Sequence, residues 1–146
     1  TVVATGAPTA HRCKEHTMRF MIMVLATPLS EAAGKPDAAL IQEMGDFHQE
    51  LARAGVLLDA AGLRPTSQGW RQRYSRDGQR QVIDGPFTET KELLAGYTLI
   101  QVRSREEAME WARRFPQPFT AADCTIEVRQ LYEDADFAPG GDMAPA

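Results

Sequence analysis

The feature that most constrains the fold is a run of seven consecutive apolar residues at positions 20–26, Phe-Met-Ile-Met-Val-Leu-Ala. A run of this length that is apolar at every position is typical of a strand buried on both faces, in the middle of a sheet. We predict this strand at about Arg19–Ala26. The segment Leu93–Val102 has the same character and predicts a second central strand. The fold must therefore form around a sheet with two buried strands.

The main helix is predicted from about Pro36 or Asp37 to Ala54. Its apolar residues recur at intervals of four, three, four and three, which places them on one helix face: Leu40, Met44, Phe47, Leu51 and Ala54. Gly55 follows as a left-handed cap. The segment between the first strand and this helix, with Pro28, Gly34 and Pro36, is interpreted as a loop.

Four further elements are predicted from turn and capping residues. They are a strand at Val56–Ala60, a hairpin with arms Trp70–Ser75 and Gln79–Ile83 around Asp77-Gly78, a helix from a Ser104/Glu107 capping box to Pro116, and a strand at Cys124–Tyr132. Without the hairpin the order is β-α-β-β-α-β, the ferredoxin-like plan. Both helices of that plan lie on one sheet face, so the other face is left uncovered. Because soluble monomers rarely expose large apolar patches, the sequence predicts an α+β domain that forms a homodimer, sheet against sheet.

The two ends of the chain lack any periodic pattern. Residues 1–17 are predicted to be a disordered or non-native extension, with Met18 as the natural start, and residues 134–146 a flexible tail rich in Gly, Pro, Ala and Asp. The folded unit is then 18–133, which is one domain by length.

Charge and composition narrow the class of partner. The net charge is −4, and the loose series of five arginines at positions 64–80 lies on the predicted hairpin, where a solvated face is the interpretation. No nucleic-acid partner is therefore predicted. No apolar run approaches the ~20 residues of a membrane span, and no signal sequence precedes the first strand. The two cysteines show no pairing or metal-ligand spacing, so a cytoplasmic location is expected.

The strongest candidate site is the Asp84–Phe87 turn, of sequence Asp-Gly-Pro-Phe. Gly85 can adopt the positive φ that a sharp reversal needs, and Pro86 fixes its own φ, so the turn is expected to hold Asp84 in a defined direction. Asp84 is a candidate general base, or a residue that orients a polar ligand. The alternative is that its carboxylate accepts backbone N–H groups inside the turn.

Five more charged residues are candidates for substrate binding: Glu89, Lys91, Glu92, Glu127 and Arg129. The first three could form a charge relay in a pocket, or else only a surface ion pair. Glu127 and Arg129 alternate with apolar residues, so they share the sheet face that points away from the core. That face is an interface, a barrel lumen or a solvated surface.

His48 is the candidate partner of Asp84. With Leu40 at zero on the helical wheel, His48 lies at roughly 80°, on the rim of the buried face. A histidine there can act as a general base near pH 7, or it can be a half-exposed side chain bonded to a neighbour. Since His48 is the sole histidine of the predicted fold and no phosphate-binding loop is present, neither a metal site nor a cofactor is predicted.

These residues resemble the signature of the DGPF family within the YCII-related superfamily, over about residues 18–133. The central match is the turn Asp84–Phe87 with Glu89, Lys91, Glu92 and Gly96. Before the turn, the matching residues are Glu50-Leu51 with Ala54–Leu57, and Gly62-Leu63 with Pro65. After it, they are Glu107-Ala108 with Trp111-Ala112 and Pro116, and Glu127–Arg129. The resemblance implies a dimeric α+β barrel on the ferredoxin-like plan. Related members include a dehydrochlorinase of a chlorinated hydroxyquinol, and the barrel resembles that of muconolactone isomerase. Those enzymes imply a cleft between sheet and helix that is worked by a His–Asp pair.

The chain departs from that pattern at Met44, where YCII-related members carry the histidine; His48 lies one turn later. The first hypothesis is a lyase- or isomerase-like enzyme or binder of a cyclic or aromatic-derived metabolite, such as a lactone or hydroxyquinol. Asp84, with or without His48, would transfer the proton, and Lys91 or Arg129 would hold a substrate anion. The second hypothesis is a non-catalytic accessory module, because genes of this family often lie beside those of extracytoplasmic-function sigma factors.

Overall fold

The two apolar runs form adjacent antiparallel strands in the middle of a four-stranded sheet, as predicted. The computed structural model describes residues 16–33, 35–120 and 123–139. The strands are β1 (Met18–Leu25), β2 (Leu57–Gly62), β3 (Trp70–Tyr74), β4 (Arg80–Asp84), β5 (Leu94–Val102) and β6 (Ile126–Gln130). The sheet has the order β2-β5-β1-β6 with every neighbouring pair antiparallel, and β3 and β4 form a separate two-stranded ribbon.

Three α-helices occur in the described part of the chain: α1 (Pro28–Ala33), α2 (Ala38–Arg53) and α3 (Arg105–Arg113). The fold is therefore α+β. None of these helices combines the length and apolar character that crossing a bilayer requires. Most of the predicted N-terminal extension, and the tail beyond residue 139, lie outside the described residues. The described start of that tail contains a 3-10 helix at Asp134–Phe137.

The prediction of helix α2 is confirmed at both ends. The Asp37 carboxylate accepts a hydrogen bond from the Leu40 N–H at 2.7 Å, so it satisfies one of the free amides of the first turn. Gly55 adopts a φ of +74°, the left-handed conformation that ends a helix at low cost in glycine. Phe47 and Leu51 are the buried residues of this helix.

Helix α1 corrects the prediction of a loop at this position. Thr27 and Ser30 cap it reciprocally, since the Ser30 N–H bonds Thr27 Oγ1 at 3.1 Å and the Thr27 N–H bonds Ser30 Oγ at 2.9 Å. Pro28 occupies the first helical position, where its missing N–H costs nothing. A helix of six residues is too short to show an apolar period, which is why the pattern did not reveal it.

The core lies between one sheet face and helices α2 and α3. Buried side chains on that face pack against Phe47, Leu51 and Ala108 from the helices; the strand residues are Phe20, Ile22, Ile100 and Val102. Strand pairing places Met21, Met23, Tyr97 and Leu99 on the opposite face, away from the core that α2 and α3 cover.

The hairpin and the α3 cap also agree with the prediction. The ribbon turns at Asp77-Gly78, where Gly78 has a φ of +85° and the Ser75 hydroxyl bonds the Asp77 carboxylate. At α3 the Ser104 hydroxyl accepts the Glu107 N–H at 3.1 Å. The Glu107 carboxylate reaches the Arg103 N–H, one residue before the predicted capping-box partner.

Candidate functional site

The Asp84–Phe87 turn is anchored at two points by the segment before the ribbon. The Gly85 N–H donates to the Gly69 carbonyl at 3.0 Å, and the Phe87 N–H donates to Thr66 Oγ1 at 3.0 Å. The Gly85–Pro86 peptide bond is cis. The backbone amides of the turn are therefore satisfied by residues 66 and 69, and not by the Asp84 carboxylate.

Position 85 requires a glycine because two backbone segments pack closely there. This corrects the prediction that Gly85 is needed for its positive φ. The described glycines with positive φ are Gly55 and Gly78, so Gly85 does not use that freedom. A Cβ atom on Gly85 would instead lie 1.8 Å from the carbonyl oxygen of Thr66 and 2.6 Å from its carbon. The backbone of the turn thus lies directly against another backbone segment, with no room for a side chain.

A carboxylate from α1 supports this anchor. Thr66 donates from its hydroxyl to Glu31 Oε2 at 2.5 Å, and its N–H bonds the same carboxylate at 3.2 Å. The Thr66 hydroxyl thus links Glu31 on one side to the Phe87 N–H on the other. Sequence reasoning missed both residues, because Glu31 lies in the unpredicted helix and the two positions are 35 residues apart.

Asp84 is the last residue of β4 and its side chain is exposed. Its strand partner is Trp70, so the two side chains lie on the same face of the ribbon. The Asp84 carboxylate accepts no hydrogen bond and forms no ion pair within the described part of the chain. The anchored turn holds the backbone beside Asp84, and a carboxylate without a partner is available to a ligand.

The three candidates after the turn are also exposed. Glu89 precedes a 3-10 helix at Thr90–Glu92, so this segment is not extended. Glu89, Lys91 and Glu92 form no side-chain ion pair with any described residue. They follow the turn directly in the sequence, but the structure does not assemble them into a relay.

His48 lies on the side of α2 that faces the sheet. Its Nε2 is 2.9 Å from the hydroxyl of Thr98, a residue of β5 that is only 2% exposed. The Phe47 ring is a neighbour, at 6.1 Å between ring centroids. Burial lowers the pKa of the His48 imidazole below its ordinary value of 6.5, so the ring is neutral at physiological pH.

This pKa shift predicts a pH dependence of stability. Because the unfolded chain binds a proton at His48 more readily than the folded protein, the free energy of unfolding should fall as the pH drops below about 6.5. The loss should stop once the pH is below the folded pKa. Urea unfolding between about pH 5.5 and 7.5 measures it. His48→Gln, which can still bond Thr98, should flatten the dependence in this window; an unchanged slope would contradict the assignment.

His48 and Asp84 do not bond each other directly. His48 bonds Thr98 of β5, whereas Asp84 is the last residue of β4, and no hydrogen bond or ion pair among the described residues links them. A surface concavity of about 380 Å³ between α2 and the end of α3 contains neither residue; it is lined by Glu43, Asp46, Phe47, Glu50, Arg114 and Pro116. A second, smaller concavity of about 70 Å³ lies beside α3, and it does not contain His48 or Asp84 either.

Glu127 and Arg129 lie together on the sheet face that the helices leave open. Their strand partners are Met23 and Met21, and both side chains are exposed. At the opposite edge of this face, the Tyr97 hydroxyl donates to Asp59 at 2.9 Å, and this bond raises the pKa of Tyr97. The open face therefore carries an apolar centre with charged groups at both edges.

Within the described ranges, no group of three or more His, Cys, Asp or Glu side chains is arranged to hold a metal ion. The candidate groups are therefore the exposed Asp84 carboxylate on its anchored turn, the neutral His48 imidazole, and the sheet face that carries Glu127 and Arg129. Carboxylate and imidazole side chains are able to transfer protons, and an exposed arginine is able to bind an anion.

Known proteins share the sequence of this domain. The sequence model of the YCII-related domain matches residues 18–134. The chain belongs to the YCII-related family. An uncharacterised protein of Rhizobium meliloti (strain 1021) is 38% identical over 106 residues, which cover 71% of this chain and 80% of the relative. The resemblance read from the sequence is thus confirmed at the level of the YCII-related family.

Proposed function

We propose that this YCII-related protein is a DGPF-type enzyme or binder of a small polar metabolite, with Asp84 as its acid/base group. The observation that carries the proposal is the combination of a rigid turn and an unused carboxylate. The Glu31–Thr66 pair and Gly69 hold the turn by its backbone, which leaves the Asp84 side chain free. Positioned groups of this kind speed proton transfer because their orientation is set before the ligand arrives.

The reaction class that fits is a cofactor-independent isomerisation or elimination on a cyclic or aromatic-derived metabolite. Asp84 would remove or deliver a proton, and Lys91, seven residues further along the chain, would hold a substrate anion. Arg129 is an alternative anion ligand if the open sheet face forms part of the site. His48 is neutral and therefore competent as a base, but it bonds Thr98 and no hydrogen bond links it to Asp84, so Asp84 has the primary role in this proposal.

A thermal-shift screen of a metabolite library tests this function. A bound ligand raises the melting temperature by mass action, so wild-type protein should respond to lactones or hydroxyquinol-like compounds at high concentration. Asp84→Asn should melt within about 1–2 °C of wild type, because the carboxylate has no partner to lose, and it should no longer respond. Glu106→Gln, at an exposed and unpaired carboxylate on α3, is the matched control and should keep the response. An equal response in Asp84→Asn would remove Asp84 from the site.

We propose further that the domain is ferredoxin-like and forms a cytoplasmic homodimer through the open sheet face. The strand order β2-β5-β1-β6, with α2 and α3 packed on one side, supports the fold. The half-buried Met21 and Leu99 at the centre of the open face support the dimer, because a second sheet would remove them from water. Sedimentation at micromolar concentration tests it, and a monomer there would contradict it.

The second candidate function is an accessory module for an extracytoplasmic-function sigma factor. The exposed and unpaired Glu89, Lys91 and Glu92 favour it, since they are available as a docking surface. The test is co-purification with such a factor. Binding that survives Asp84→Asn but is lost when all three charges are neutralised would favour this function over the enzyme.

A further inference from the structure

One face of the β3–β4 ribbon carries two arginines and no carboxylate. Across the ribbon Arg71 pairs with Ile83 and Arg73 pairs with Gln81, so these four exposed side chains share a face, here called the arginine face. Asp84 lies on the opposite face of the ribbon. The arginine face is therefore electropositive and separate from the candidate acid/base group.

Arg71 is held in position by the anchored turn. Its guanidinium lies 3.9 Å from the centre of the Phe87 ring, which is a cation–π contact. Phe87 is half-buried, and its N–H bonds Thr66 Oγ1 at 3.0 Å, so the stacked ring belongs to a fixed segment of backbone. A guanidinium that stacks through its flat face keeps the N–H donors in its plane available to an anion.

The protein does not neutralise these two arginines. Arg71 and Arg73 form no hydrogen bond or ion pair with any described residue, whereas Arg19 bonds Glu133 through two of its nitrogens. Two residues apart on a strand, their Cα atoms are separated by roughly 7 Å, so the two positive charges repel each other. An anion between them would remove this repulsion and accept hydrogen bonds from both guanidinium groups.

The charge distribution of the chain favours a small anion over a polymer. Residues 70–84 contain four arginines and two aspartates, a net charge of +2, and the whole chain has −4, so the rest of the chain carries −6. A nucleic acid or an acidic protein on the ribbon would extend over this acidic body and be repelled. A small anion with two negative charges meets only the two arginines, and it matches their charge.

We infer that the arginine face binds a small organic dianion, a phosphate ester or a dicarboxylate, between Arg71 and Arg73. Both ligands offer the pairs of oxygen atoms that a planar guanidinium binds through two hydrogen bonds. The Gln81 amide on the same face is a further donor. The arginine face does not depend on the proposed function of Asp84, since that carboxylate is on the other side of the ribbon.

An NMR titration of the protein with inorganic phosphate, and separately with malonate, tests this site at constant ionic strength. At least one of the two should give saturable amide shifts at residues 71, 73 and 81. Arg71→Gln and Arg73→Gln should each raise the Kd at least about tenfold, because each removes one of the two guanidinium groups. Arg71→Lys keeps the charge and loses the planar fork, so it should raise the Kd about three- to tenfold.

Arg76→Gln is the matched control. Arg76 is exposed in the turn of the same ribbon, so this variant removes the same charge outside the arginine face and should change the Kd less than about twofold. An equal loss in Arg76→Gln and Arg71→Gln would mean non-specific attraction and would overturn the site. The absence of saturable shifts with both anions up to about 50 mM would overturn it as well.

A short single-stranded oligonucleotide separates a small ligand from a polymer. If it bound more than about 100-fold tighter than either dianion, and lost that affinity in Arg71→Gln, the site would be one for nucleic acid and the inference would be overturned. A response to phosphate alone supports a phosphate ester, and a response to malonate alone supports a dicarboxylate. The thermal-shift response of Asp84→Asn is a separate measurement, so either site can fail without the other.

Discussion

Gly85→Ala is expected to lower the free energy of unfolding by about 3 kcal/mol and the melting temperature by roughly 10 °C. The added methyl group would lie 1.8 Å from the Thr66 carbonyl oxygen, and both neighbours at this contact are backbone. No side-chain rotation can relieve the overlap, so the turn must move away from residues 66–69. Thermal melts at neutral pH measure the effect.

Gly45→Ala is the matched control for this prediction. Gly45 lies inside α2, and a Cβ atom there would meet nothing within 4 Å. The same substitution should therefore stabilise the protein by about 0.5–1 kcal/mol, because alanine loses less backbone freedom on folding. If Gly85→Ala melted within about 3 °C of wild type, the close contact would not be important for folding.

Thr66→Val should destabilise the protein by about 2–3 kcal/mol, although the two side chains have nearly the same shape. The change removes the hydroxyl that donates to Glu31, and it leaves the Phe87 N–H without its acceptor. A hydrogen bond to a charged group contributes about 1.5–3 kcal/mol, and an orphaned amide adds to the loss. Hydrogen exchange at the Phe87 amide should accelerate at the same time, because its protection depends on that bond.

Thr88→Val controls for the loss of a threonine hydroxyl in the same region. Thr88 is exposed, and its hydroxyl makes no hydrogen bond with the described residues, so its removal should change stability by less than about 0.5 kcal/mol. If the Thr66 and Thr88 variants unfolded alike, the turn would not depend on the Glu31–Thr66 link.

The Asp84–Phe87 turn shows where sequence reasoning succeeds and where it stops. The residues Gly85 and Pro86 identified a rigid turn, because their conformational limits are intrinsic to each residue. The reason for the glycine was wrong, however, since the constraint comes from Thr66 across space and not from the φ of Gly85. A contact of that kind leaves no trace in the residues next to the turn.

The sequence by itself determined the elements whose signals are local. Helix α2 with its Asp37 and Gly55 caps, the two central strands and the Asp77-Gly78 hairpin follow from apolar period, capping and turn chemistry within a few residues. Only the tertiary structure decided how the candidate site is arranged: that Glu31 and Thr66 hold the turn, and that His48 bonds Thr98. These contacts join residues 21 to 50 positions apart. They depend on how strands and helices pack against one another, and a local pattern of residues carries no record of that packing.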